Sequence, residues 1–107
     1  MKENNALSRL EAEIIRVLKN VFDPEIPVNI YDLGLIYNLE VDDDYVAHIL
    51  MTFTAPNCPI ADQLVEEIRK KVTSTEGIKE CDIKITFDPP WDKNMLSDEA
   101  KLELGFL

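Results

Sequence analysis

Between residues 45 and 87 the apolar side chains change their spacing twice. Tyr45, Ala47, Ile49, Met51 and Phe53 recur at every second position, the period of a strand with one buried face. Ala61, Leu64, Val65, Ile68 and Val72 then recur every three or four positions, the stripe of an amphipathic helix. Cys81, Ile83, Ile85 and Phe87 return to the period of two. A strand, a helix and a second strand in that order make a crossover unit. If its two strands are parallel, the crossover is right-handed.

The rest of the chain is arranged around that unit. Leu10, Ile14, Val17, Leu18 and Val21 mark one face of a helix over about 9–20. Ser8-Arg9-Leu10-Glu11 fits a capping box with Ser8 as N-cap. Pro24 and Pro27 forbid its continuation and stiffen a loop that runs to Gly34. Leu35, Tyr37, Leu39 and Val41 alternate with Asn38 and Glu40, which predicts a strand over 35–41. Asp42-Asp43-Asp44 turns it into the strand at 45–54, a hairpin. Pro59 suits the first helical position and makes Cys58 the expected N-cap of the second helix, which ends at Thr75-Glu76-Gly77. Asp88-Pro89-Pro90-Trp91 forces an extended exit from the last strand, and Ser97-Asp98-Glu99 starts a short helix ending near Gly105. The order α-β-β-α-β-α predicts one domain over 1–107, a two-layer α+β fold with a small mixed three-stranded sheet.

Composition narrows the function classes. The formal net charge of −10 disfavours phosphate-backbone binding, so no nucleic-acid partner is expected. No apolar run approaches the ~18 residues of a membrane span, and Met1-Lys2-Glu3-Asn4-Asn5 does not lead into a signal-peptide core. A cytoplasmic protein is expected. Two cysteines and one histidine cannot supply a four-ligand Cys/His zinc site or a Cys₄ cluster site from one chain.

Cys58 is the residue with the most chemical potential. It stands where the strand gives way to the helix, and the N–H groups of a first helical turn favour thiolate over thiol. Pro56 and Pro59 fix the backbone around it, and Thr54 offers a hydroxyl nearby. A nucleophile, a metal ligand, a redox thiol and a small buried hydrophobe all fit such a residue. Cys81 shares the apolar face of its strand and reads as structural. Asp23 and Glu25 put two carboxylates in a proline-stiffened loop, where they could bind metal, move protons or simply be solvated. Asp32 reads as a turn residue bonding to local amides. His48 reads as a half-exposed strand histidine, or as the base of a Cys–His pair. Trp91 is either a lid on the core or an anchor for a partner.

Three segments together resemble a known family. Asp23-Pro24-Glu25-Ile26-Pro27-Val28-Asn29-Ile30-Tyr31-Asp32-Leu33-Gly34-Leu35-Ile36-Tyr37 resembles the first signature of the SufT/PaaD-like family. Thr54-Ala55-Pro56-Asn57-Cys58-Pro59 resembles the second and Asp88-Pro89-Pro90-Trp91 the third, in family order. The resemblance implies a fold of the iron–sulfur cluster assembly superfamily type and an accessory role in maturing Fe–S proteins. It implies that Cys58 is the family's reactive cysteine. It further implies that the acidic loop with Asp23, Glu25 and Ile26, together with Thr54, Pro56 and Pro59, shapes the pocket. The phenylacetate branch carries further C-terminal cysteines that are missing here, which favours the SufT-like branch.

The expectation is therefore a non-enzymatic factor whose Cys58 holds iron or an Fe–S cluster transiently, with no permanent cofactor. Its partners would be the Fe–S assembly machinery and client apoproteins, and a homodimer could pair two Cys58 thiolates. Two alternatives stand beside it: a cysteine-dependent oxidoreductase or hydrolase using His48, and a metal-independent adaptor using Trp91.

Overall fold

The computed structural model describes residues 5–23, 28–54 and 61–105. Its elements follow the expected order: α1 (Asn5–Leu18), β1 (Ile36–Val41), β2 (Val46–Met51), α2 (Ala61–Thr73), β3 (Glu80–Ile85) and α3 (Asp98–Leu104), with a 3₁₀ turn at Lys93–Met95 before α3. The sheet order is β1-β2-β3. β1 and β2 are antiparallel and β2 and β3 parallel, so the sheet is mixed as expected.

The apolar stripes explain the packing. Ile14 and Leu18 of α1, Leu64, Ile68 and Val72 of α2, and Ala47, Ile49 and Met51 of β2 are buried in one cluster. α1 packs on β1, α2 on β3, and the helices on each other. Two helices thus cover one face of the sheet. The other face carries Asn38, Glu40, His48, Asp82 and Lys84, which the register sets in rows across the strands.

Several local expectations are corrected. α1 already runs from Asn5, so Ser8 lies inside it and is no N-cap. Glu11 does not close a capping box; its Oε2 accepts the Val41 N–H at 3.0 Å, at the outer edge of β1. The alternation at 35–41 is broken by a bulge: Ile36 opposes Met51 while Asn38 opposes Leu50, leaving Tyr37 as the extra residue. Ile36 takes the core-facing place, and the Tyr37 hydroxyl reaches away to donate to the Pro89 carbonyl at 2.8 Å. Tyr45 does not join the buried face of β2. It has φ +63° in the hairpin turn and is exposed, a conformation that turn closure imposes on a residue other than glycine. Ile85 and Phe87 share the parity of buried Cys81 yet are exposed.

The C-terminal expectations hold. Ser97 Oγ accepts the Ala100 N–H at 3.1 Å as the N-cap of α3, and Gly105, at φ +83°, ends it in the left-handed region.

Candidate functional site

One end of the sheet gathers what the sequence scatters. β2 and β3 are parallel, so their carboxyl ends lie side by side, and β1 begins there because it is antiparallel to β2. Thr52 N–H donates to Leu35 O at 2.9 Å, and Thr86 N–H donates to Met51 O at 2.9 Å. Residues 35, 52 and 86 are therefore laced together. From these points the chain enters the first, second and third motifs. Loops beyond the carboxyl ends of parallel strands are where open sheets build their sites.

The first motif is tied down residue by residue. Ile30 N–H donates to Val21 O at 2.8 Å, and Asp23 N–H donates to Val28 O at 3.3 Å. The Asn29 side chain binds Asp32 twice: its Oδ1 accepts the Asp32 N–H at 2.8 Å and its Nδ2 donates to Asp32 Oδ2 at 2.9 Å. The Asp32 carboxylate thus serves the Asn29 amide, a side-chain partner that the expectation of local turn amides did not include. Asp32 O accepts the Ser97 N–H at 2.8 Å, which docks the start of α3 on this loop.

The third motif closes over the first. Trp91 is half-buried against the core, and its indole N–H donates to Leu33 O at 2.6 Å. Tyr37 bonds Pro89 O from the other side and approaches Met95 Sδ at 3.5 Å. Trp91 is thus placed as a lid, with its body packed against the core and its one polar atom engaged within the fold. Gly34 sits between, at φ +82°, with the Met95 backbone pressed against it. Gly34, Tyr37 and Met95 are site-building residues that sequence reasoning passed over. A glycine directly after Leu33, followed at once by a strand, was the available signal.

Asp23 and Thr54 stand at the borders of the described residues, Thr54 half-buried two positions beyond Thr52. Glu25, Ile26, Pro56, Cys58 and Pro59 lie outside the described residues, as does the expected N-cap role of Cys58.

The second cysteine behaves as expected. Cys81 is buried and free, and burial pushes its thiol up to about 11. At pH 8 only about one Cys81 in a thousand would be thiolate. Alkylation across pH 6–9 should therefore label Cys58 first and leave Cys81 protected until the protein is denatured. Faster labelling of Cys81 in the native protein would reverse the assignment.

His48 is fully occupied. Its Nε2 meets Asp42 Oδ2 at 2.8 Å and its Nδ1 meets Asp82 Oδ2 at 3.4 Å. The hydrogen bond with Asp42 leads in raising the His48 pKa, and the same bond leads in lowering that of Asp42. A carboxylate on each nitrogen favours the imidazolium and engages both ring nitrogens, which leaves neither free to act as a general base. These are the nitrogens that the Cys–His alternative would need, and both are paired with carboxylates. Asp42 also closes its own turn, since its Oδ1 accepts the Asp44 and Val46 N–H groups.

The cluster predicts a pH signature. His48 stabilises the fold fully below its ordinary value near 6.5, and the gain is lost as pH rises through its raised pKa. The Asp42 contribution is present above its ordinary value of 3.8 and is lost as pH falls through its lowered pKa. The melting-temperature difference between wild type and His48→Gln should therefore be largest near pH 5–6 and shrink by pH 9. An NMR titration of His48 should give a midpoint above 6.5 that moves down in Asp42→Asn. An unshifted midpoint would contradict the pairing.

Among the described residues, no group of three or more His, Cys, Asp or Glu side chains could hold a metal ion. No helix among them is long and apolar enough to cross a membrane.

The model of the iron–sulfur cluster assembly protein family matches residues 11–85. The chain belongs to that family. Within it, an Fe-S protein maturation auxiliary factor of Porphyromonas gingivalis is 55% identical over 104 residues, 97% of this chain and 99% of its own length. The Fe-S protein maturation auxiliary factor SufT of Staphylococcus aureus is 36% identical over 85 residues, 79% of this chain and 97% of its own. The crystal structure of a domain of unknown function, DUF59, from Bacillus anthracis superposes with a TM-score of 0.87 at 36% identity, covering 98% of this chain and all of that one. The SufT-like resemblance and the small mixed-sheet α+β fold are thus both upheld. The family match spans the first and second motifs, while the third lies just beyond it at 88–91.

Proposed function

We propose that this protein is an accessory factor in the maturation of iron–sulfur proteins, in which Cys58 holds iron or a cluster in transit. The observation that carries the reading is the convergence at one end of the sheet. The strands and loops that lead into all three motifs are hydrogen-bonded to one another there. The names of close relatives support the accessory role. The buried, protonated state of Cys81 supports assigning the chemistry to Cys58, since it leaves no other accessible thiol.

The physical case for Cys58 is the expectation, from sequence, that it stands at the start of the second helix. At a helix N-terminus a thiolate gains from the positive end of the dipole. One thiolate is a poor permanent ligand set for a cluster, and the carboxylates of Asp23 and Glu25 are hard donors for iron. Such a site suits cargo that is received and passed on, with assembly proteins and client apoproteins supplying the remaining ligands. Thr54, Ile26, Pro56 and Pro59 would shape the pocket around it.

Complementation tests the proposal. In a strain lacking the protein, wild type should restore the activity of Fe–S enzymes, and Cys58→Ser, present at equal abundance, should not. Full restoration by Cys58→Ser would leave an adaptor whose cysteine is silent.

A further inference from the structure

The two edges of the sheet are treated differently. On β1 the outward Val41 N–H is taken by the Glu11 carboxylate of α1. β3 has β2 on one side and, among the described residues, no strand on the other. Thr86 turns its N–H to Met51, so the even-numbered residues of β3 face β2 with their backbone groups. Cys81, Ile83 and Ile85 therefore direct their N–H and C=O groups to the outer edge. Beside that edge Ile85 and Phe87 are exposed, by 39% and 41%. An open edge with unpaired donors, acceptors and apolar side chains is a template for another strand.

Charge decides which strand fits. Asp82 and Lys84 flank Ile83 and are exposed on the helix-free face. Consider β3 beside a second β3, antiparallel about a two-fold axis at Ile83. Asp82 then faces the partner's Lys84, and Lys84 faces the partner's Asp82. The outward residues also meet correctly: Ile83 pairs with the partner's Ile83, and Cys81 with the partner's Ile85. That register yields about six backbone hydrogen bonds. Shifting the axis to Asp82 or Lys84 sets like charges against each other, and shifting it to Cys81 sets Glu80 against Asp82. Shifting it to Ile85 loses both ion pairs. Only the register centred on Ile83 satisfies both the backbone and the charges. Opposite charges two positions apart make this edge complementary to itself.

We infer that two copies of this chain pair through their β3 edges, joining their two three-stranded sheets into one. The inference is independent of the iron–sulfur reading, but it has a consequence for it. A two-fold that reverses β3 sends the carboxyl ends of the strands to opposite ends of the assembly. The two motif clusters then point apart, so the second copy cannot supply ligands to the same cargo. This dimer is distinct from one that pairs two Cys58 thiolates.

Sedimentation velocity over a concentration series tests the pairing. Wild type should form a dimer, as should Cys58→Ser. Asp82→Lys and Lys84→Asp should each raise the dimer Kd about tenfold or more, because each sets two like-charge pairs across the axis. Mixing the two variants should restore a dimer of wild-type affinity, since both cross-axis pairs of the mixed dimer again join opposite charges. This rescue also verifies that both variants fold. A wild type that stays monomeric would overturn the inference. So would variants that dimerise as well as wild type, a mixture that fails to recover, or loss of the dimer in Cys58→Ser.

Discussion

Gly34→Ala should destabilise the protein by about 3 kcal/mol and loosen the whole motif end. Two effects add at this position. The backbone has φ +82°, where a Cβ is disfavoured by roughly 1 kcal/mol. A Cβ built there would also overlap the Met95 carbonyl oxygen and stand 2.9 Å from Met95 C and Cβ. Met95 cannot move alone. Its N–H is bonded to Asp92 O, and the neighbouring Leu96 is buried in the core. The clash therefore spreads into the segment that carries Trp91. Chemical denaturation reads the loss directly. A variant within about 0.5 kcal/mol of wild type would show that the loop and the C-terminal segment are not in fixed contact.

Trp91→Ala should cost about 2–3 kcal/mol, below the range for a fully buried tryptophan because the ring is only half-buried. Trp91→Phe separates the two parts of its role. It keeps most of the apolar cover but leaves Leu33 O without its 2.6 Å donor, at a cost of about 1 kcal/mol. Both variants should fall between wild type and Gly34→Ala in denaturant midpoint. They should also lower Cys58-dependent activity beyond what the lost stability explains, because Leu33 anchors the first motif. Wild-type stability in Trp91→Ala would mean the lid does not hold the loop.

The architecture was legible because its signals are periodic. Leu64, Val65, Ile68 and Val72 could only form one helical stripe, and Ala47, Ile49 and Met51 only one strand face. The cap of α3 was equally clear, since Ser97 and Gly105 act within their own helix. What sequence reasoning missed depends on partners distant along the chain. Glu11 looked like half of a capping box, but its carboxylate is used thirty residues away at Val41. Tyr37 fitted the alternation of β1, yet the bulge frees it to bind Pro89, fifty-two residues on. Periodicity gives the parity of Ile85 and Phe87 but not their exposure.

The same division applies to the site. The three motifs announced themselves in sequence, and that the strands leading into them end side by side came from strand direction, which only the paired sheet reveals. His48 shows the converse. Its sequence position allowed a catalytic base, and Asp42 and Asp82 use both of its nitrogens.

The central claim is that cargo passes through Cys58. Cluster transfer under anaerobic conditions measures it most directly, from a loaded assembly scaffold to a client apoprotein, followed by recovery of client activity. Wild type should accelerate transfer, and Cys58→Ser should fall to the rate without added protein while melting like wild type. Equal acceleration by Cys58→Ser would contradict the account.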